Sequence, residues 1–303
     1  MATYLAQRNC SIILGTRDSI DVPNWLLEAD LITMNWDDES ALGRCCRDVD
    51  VIIHAAGMNA KECEESPVDA LVCNGVFTAR LVKAARSFGV SKFIFLSTAH
   101  VYACPLAGLL DEDTPTKNLH PYSTSNLAGE NAVLAAHKTG TMQSTVLRLS
   151  NTFGAPMHSE VNCWMLVIND LCRQAVQTHK LTLTGEAGQM RNFISITDVC
   201  HIVGSFVNSG KNDEHSGIFN IGSDRTWSVL SMAELIQERC TNILGFRPEI
   251  KCDYKNERVL HPPLQYTSKR LSRLGFKALD ENITEEIDNL IRFCVKNFSS
   301  DSL

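Results

Sequence analysis

The 303-residue chain is 44% hydrophobic and 21% charged, enough for a substantial core. This composition excludes a disordered tail, a collagen-like fibre and a disulfide miniprotein. Lysine and arginine number 28 against 35 acidic residues, a net charge of −7 with no basic run, so neither nucleic acid nor an anionic membrane surface is an expected partner.

Apolar stretches such as 49–57 and 93–96 fall far short of the ~20 residues that cross a bilayer. The first residues show no basic segment leading into an apolar one, so no secretion signal is read. Twelve cysteines are present, none in a C-x-x-C pair, and several lie in apolar runs (Cys73, Cys172, Cys200). They are expected to be reduced thiols of a soluble cytoplasmic protein, with no metal site.

In chain order, residues 11–14 read as a strand ended by Gly15, 30–34 as a second and 50–54 as a third that stops at Ala55-Ala56-Gly57. The stretch 68–88 carries Leu71, Val76, Ala79, Leu81, Val82 and Ala85 at helical spacing and ends at Gly89. Residues 93–96 form a fourth strand, 122–137 a second helix and 144–148 a fifth strand. Near-continuous apolar strands alternating with helices predict an α/β fold built on a doubly wound parallel sheet. After about Asn151 the rhythm changes. Helices at 164–178, 231–240 and 284–298 and a β-like 181–184 suggest a smaller α/β lobe. The expected division is a dinucleotide-binding domain at 1–150 and a substrate lobe at 151–303.

In open parallel sheets, ligands bind beyond the carboxyl ends of the strands. Those ends are Gly15-Thr16-Arg17, His54-Ala55-Ala56-Gly57, Ser97-Thr98-Ala99-His100-Val101-Tyr102 and Ser150-Asn151-Thr152-Phe153-Gly154. Small residues there let a flat cofactor approach the backbone. A strand-end Thr98 followed by Tyr122 at a helix start is the more specific signal.

The order of several segments resembles the extended short-chain dehydrogenase/reductases of the NAD-dependent epimerase/dehydratase family, over nearly the whole chain. They are residues 50–57; Asn74; Phe95-Leu96-Ser97-Thr98 through Tyr102; Pro121-Tyr122-Ser123-Thr124-Ser125-Asn126; Arg148 through Pro156; Gly188 through Ile194 with Asp198; Phe219-Asn220-Ile221-Gly222-Ser223; and 268–276. The resemblance implies a Rossmann-like fold and a nicotinamide-dependent epimerase or reductase of a nucleoside-diphosphate sugar. Tyr122 would be its acid/base, Thr98 would orient the reacting oxygen, and Asn126 would stand at the third catalytic position. It implies NAD or NADP as cofactor, with Ala55, Ala56, Gly57, Asn74 and Asn126 at its site. Arg17, after the second strand, suits a 2′-phosphate. Asn151 and Arg191 would hold the substrate's diphosphate, to which an arginine offers paired donors. A homodimer through 68–88 and 122–137 is implied as well.

Two departures stand out. The family's opening strand and G-x-x-G-x-x-G turn have no counterpart, since Gly15 is the single glycine in the first forty residues. Loss of that central strand leaves two unpaired sheet edges. The expectation is that about 20–30 upstream residues, the size of the missing part of a βαβ unit, precede this start. Asn126 occupies the place of the family's lysine and supplies a hydrogen bond without a charge, which favours as an alternative a catalytically impaired binding protein. A reductase of a non-sugar carbonyl is a further alternative, in which Arg191 would matter little. No acidic pair follows Thr98, which disfavours a dehydratase. His100 and His120 are weaker candidates for the base, and Asp37 and Asp38 read best as helix caps.

Overall fold

The computed structural model describes residues 1–140, 142–210, 213–252, 262–276 and 282–299. The chain forms two compact units that interleave along the sequence. The first comprises Met1–Ala103, Pro115–Leu149 and Val203–Phe219; the second comprises Cys104–Thr114, Ser150–Ile202 and Asn220–Leu303. The expected change of rhythm near residue 150 coincides with one crossing of the chain between the units.

In the first unit the strands Val51–His54, Lys92–Thr98 and Gln143–Leu149 pair in parallel, with His54 opposite Phe95 and Thr98 opposite Leu149. The Gly217–Ile221 strand lies beside Gln143–Leu149 at the far edge. Phe93, Ile94 and Phe95 are buried, as a strand covered on both faces requires. Phe93 and Phe95 join Leu81, Val82, Ala85, Val133, Ala136 and Val146 in the core. Strands Ile13–Thr16 and Asp30–Thr33 form a separate parallel pair. Among the described residues Ile13–Thr16 and Val51–His54 each pair on one side only. The sheet is therefore split where a doubly wound sheet has its central strand. The cost shows in exposure: Val51, Ile52 and Ile53 stay half-buried and Ile13 is 39% exposed.

The helix read at 68–88 is broken into three pieces, an α turn at Pro67–Ala70, a π turn at Leu71–Phe77 and an α-helix at Thr78–Ser87. Within the π turn, Thr78 Oγ1 donates to the Asn74 carbonyl at 2.7 Å. Asp38 caps the Glu39–Cys45 helix by accepting from Ser40 N and Ala41 N, as expected of it, whereas Asp37 pairs with Arg80 instead.

The second unit is organised around Met190–Ser195, antiparallel to Thr226–Ser228 and parallel to Asn151–Phe153. Helices Val167–Thr178, Val229–Leu244 and Asn282–Phe298 enclose a core that includes Leu171, Phe193, Ile236 and Ile291. Cys172, Cys240 and Cys294 are fully buried within it, and all twelve cysteines are free. Two short parallel pairs, Lys180–Leu183 with Glu249–Cys252 and Leu109–Leu110 with Gln265–Tyr266, complete its sheets. Among the described residues no helix is long and apolar enough to cross a membrane.

A buried ion pair anchors the Pro121–His137 helix in the first unit. Glu130 accepts from Arg148 Nε at 3.0 Å and Nη2 at 2.6 Å, and also from Ser97 Oγ at 2.5 Å. The Arg148 guanidinium also lies 4.8 Å from the Tyr102 ring centre. Removing one partner of a buried pair strands the other charge. Arg148→Met is expected to cost about 3–5 kcal/mol in urea denaturation. The Arg148→Met/Glu130→Leu double variant is expected to recover most of that loss.

Candidate active site

Thr98 is the last residue of its strand, and its Oγ1 accepts from His100 N at 3.1 Å, capping the short turn Ala99–Val101. Tyr122 is the second residue of the Pro121–His137 helix. Proline is tolerated in the first helical turn because its missing N–H would be unsatisfied there anyway. The next donor, Tyr122 N, is met by His120 Nδ1 at 3.1 Å. This occupies the ring nitrogen that a base would need.

The Thr98 hydroxyl lies close enough to the Tyr122 phenol to act on its titration. Burial pushes the phenol above the ordinary tyrosine range. The Thr98 hydrogen bond pulls it back down, and the nearby Cys63 thiol adds to the upward push. The net direction is up, so at neutral pH the group is a phenol poised to give a proton.

Asn126 is buried, and its Nδ2 donates to the Tyr122 carbonyl at 2.7 Å. The side chain therefore folds back on its own helix and places no positive charge beside the phenol.

Asn74 is 2% exposed and works as a junction. Its Oδ1 accepts from Met58 N at 2.8 Å, and its Nδ2 reaches Ser125 Oγ at 2.9 Å and Cys63 Sγ at 3.6 Å. Ser125 Oγ in turn lies 3.2 Å from the Tyr122 carbonyl. With its amide donors and carbonyl so engaged, Asn74 acts on the strand-end loop rather than presenting free donors to a ligand. Gly57 is required by this contact, since a Cβ there would come within 2.9 Å of Asn74 Oδ1. Ala55, Ala56 and Gly57 are exposed. A small-residue loop held open at a strand end is the surface a flat cofactor needs. Sequence reading did not single out Ser125, Cys63 or Met58; the only local sign was their closeness to Tyr122 and Gly57.

His54 ends its strand in the same neighbourhood. Its Nε2 lies 2.9 Å from Thr78 Oγ1, whose own hydrogen goes to the Asn74 carbonyl, so the imidazole is the donor. Burial pushes its pKa down to about 4. Arg17, after the Ile13–Thr16 strand, is 89% exposed and touches only Asp18, at 3.5 Å.

In the second unit, Asn151 Nδ2 donates to the Asn192 carbonyl at 2.9 Å. Arg191 Nε and Nη2 both donate to Gln189 Oε1, at 2.9 and 2.7 Å. It has no carboxylate partner among the described residues, and burial lowers its pKa. Burial thus takes water from the guanidinium, while Gln189 offers only a neutral oxygen in return.

A model of the NAD dependent epimerase/dehydratase family matches residues 1–222. The chain is 24% identical over 301 residues to a provisionally named UDP-glucose 4-epimerase of Methanocaldococcus jannaschii, covering 97% of this chain and 93% of that one. It is 28% identical over 233 residues to the dTDP-D-glucose 4,6-dehydratase of Mus musculus, covering 76% of this chain and 63% of that one. The chain thus spans less than two thirds of the mouse relative. Among solved structures, MoeE5 in complex with UDP-glucose and NAD superposes with a TM-score of 0.77 at 21% identity, covering 97% of this chain and 93% of that one. At that identity the likeness establishes the Rossmann-type α/β fold.

The depressed pKa of His54 has a measurable consequence. The unfolded chain takes a proton near pH 6.5 that the folded chain refuses until about pH 4. Stability is therefore full above pH 6.5 and falls as the pH drops toward 4, by about 3 kcal/mol from this group. Urea denaturation across that range should show the fall, and a His54→Leu variant should show less of it.

Proposed function

The chain belongs to the NAD-dependent epimerase/dehydratase family, a family of enzymes, and from that premise we propose a nicotinamide-dependent epimerase or reductase of a nucleoside-diphosphate sugar. The observation that carries this reading is the Tyr122 phenol held against the Thr98 hydroxyl at the carboxyl end of a parallel strand. Thr98 orients the substrate oxygen, and Tyr122 delivers a proton to it or removes one.

Bound NAD or NADP supplies the hydride acceptor or donor. Ala55, Ala56 and Gly57 would flank its pyrophosphate and ribose, where they offer close backbone approach, and Asn74 holds that loop in place. Asn126 retains an oxygen and a second amide hydrogen for the ribose. Arg17 is free in solvent to meet the adenosine ribose or a 2′-phosphate. On the substrate side, the unpaired Arg191, with Asn151 on the neighbouring strand, suits a diphosphate.

The raised phenol pKa sets the resting protonation state. Even at the ordinary value of about 10, only roughly 1 in 1,000 tyrosines is ionised at pH 7. Tyr122 starts above that, so it rests as the neutral phenol, the form that can protonate a carbonyl oxygen. A second reading, a nucleotide-sugar binder without turnover, draws on the same absence of charge at Asn126.

A homodimer fits the apolar stripe formed by Val68, Leu71, Val72 and Val76, all exposed, beside the exposed Ala128 and Ala135 of the neighbouring helix. Twelve free thiols support a reducing, cytoplasmic setting.

The test is turnover with UDP-sugars, followed by nicotinamide absorbance for net oxidation or reduction and by chromatography of the sugar nucleotide for epimerisation. Tyr122→Phe is expected to abolish it while leaving sugar-nucleotide binding intact. Asn126→Lys is expected to raise alcohol oxidation about tenfold or more by restoring the cation. If neither the native protein nor Asn126→Lys turns over while calorimetry still detects UDP-sugar binding, the binder reading replaces the enzyme. Arg191→Ala is expected to weaken UDP-sugar binding about 10–100-fold. An unchanged affinity would instead point to a carbonyl substrate without a diphosphate.

A further inference from the structure

Four hydrogen bonds in an unbroken run tie the Thr98 turn to the tyrosine helix. Thr98 Oγ1 accepts from His100 N at 3.1 Å. The His100 carbonyl accepts from Asn118 Nδ2 at 2.7 Å. Asn118 Oδ1 accepts from His120 N at 3.0 Å. His120 Nδ1 accepts from Tyr122 N at 3.1 Å. The Thr98 side chain in turn acts on the Tyr122 phenol, which brings the run back to its start. Two backbone bonds, Lys117 N to the Tyr102 carbonyl at 3.1 Å and Asn118 N to the Val101 carbonyl at 3.4 Å, pin the same loop to the turn after Thr98.

We propose that Asn118 and His120 are positioning residues that hold the Tyr122 phenol and the Thr98 hydroxyl in register. The claim rests on the acid role given to Tyr122 above. The chemistry of each member is specific. A helix cap needs only a side-chain acceptor, and serine, asparagine or aspartate would serve. Here the capping residue also spends its own backbone N–H on Asn118, and Asn118 spends its second functional group on the turn that carries Thr98. An asparagine suits this link because one short side chain presents both a donor and an acceptor. His120 thus acts through the amide of Tyr122, and Asn118 through His120 and His100. Neither needs to touch a substrate. Because a hydroxyl and a phenol must converge on one oxygen, a displacement of about 1 Å costs rate steeply.

The test uses amide hydrogen exchange on the whole protein, followed at His100 and Tyr122. His120→Ala is expected to speed exchange at Tyr122 about fivefold, the effect of a lost cap. It should also speed exchange at His100, at the far side of the ring. Asn118→Ala should do the same at both amides. His120→Ser, which keeps an acceptor on the side chain and the N–H on the backbone, should restore both. If His120→Ala frees Tyr122 and leaves His100 unchanged, His120 is an ordinary helix cap and the proposal fails. In turnover with a UDP-sugar, both alanine variants should lower kcat with little change in KM, and an unaltered kcat would also overturn it. A native protein without any turnover overturns the enzymatic reading instead, and the exchange experiment still decides whether the ring is coupled.

Discussion

The tyrosine helix lies so close to the Leu71–Phe77 π turn that only a glycine fits between them. A Cβ on Gly129 would come within 2.6 Å of the Asn74 carbonyl and 3.0 Å of the Phe95 ring, and one on Gly75 would meet the Ala128 methyl at 3.0 Å. That approach fixes the rest of the first unit's chemistry. It brings the Asn74 amide to Ser125 on one side and to the Met58 loop on the other. It also sets Glu130, the next residue along, against Arg148 and Ser97. The helix is held on the π turn, on the central strand and, at its start, by His120. π turns inside α-helices cost regular hydrogen bonds and recur at functional sites. Here Thr78 takes up the carbonyl of the buried Asn74 and His54 completes the chain, so that carbonyl of the irregular backbone remains satisfied.

Electrostatically the two units differ. Beside Tyr122 stand a threonine and an asparagine turned back on its own helix, and the phenol is raised by burial. The buried charges Glu130 and Arg148, on the same helix and a neighbouring strand, neutralise each other. The second unit instead keeps Arg191 partly buried with only a glutamine for company. A desolvated cation without a counter-ion is unfavourable unless something anionic completes it.

The split sheet is the structural counterpart of a departure visible in the first forty residues. Ile13–Thr16 carries no glycine-rich turn and pairs with one neighbour, and Val51–His54 does likewise. The alternation of apolar residues marks both segments as strands but says nothing of which edges meet. That depends on chain segments far apart in sequence, and the half-exposed Val51, Ile52 and Ile53 record it in exposure.

Local patterns settled a good deal. The unbroken apolar run at Phe93–Leu96, the helical spacing of 122–137 and the strand end at Thr98 were legible because strand and helix periodicities are properties of neighbouring residues; the segment at Asn151, read as a strand end, is a strand of its own, Asn151–Phe153. The pairing of Thr98 with Tyr122 was legible only through resemblance. Tertiary structure alone decided the π turn, the direction of the Asn126 amide, the enclosure of the Asn74 side chain and the solitary state of Arg191. Each of these is set by which distant backbone or side chain arrives within hydrogen-bonding distance, and burial then makes that choice energetically decisive. A sequence states which groups are available; only folding brings donors, acceptors and charges close enough to decide which of them remain for a ligand.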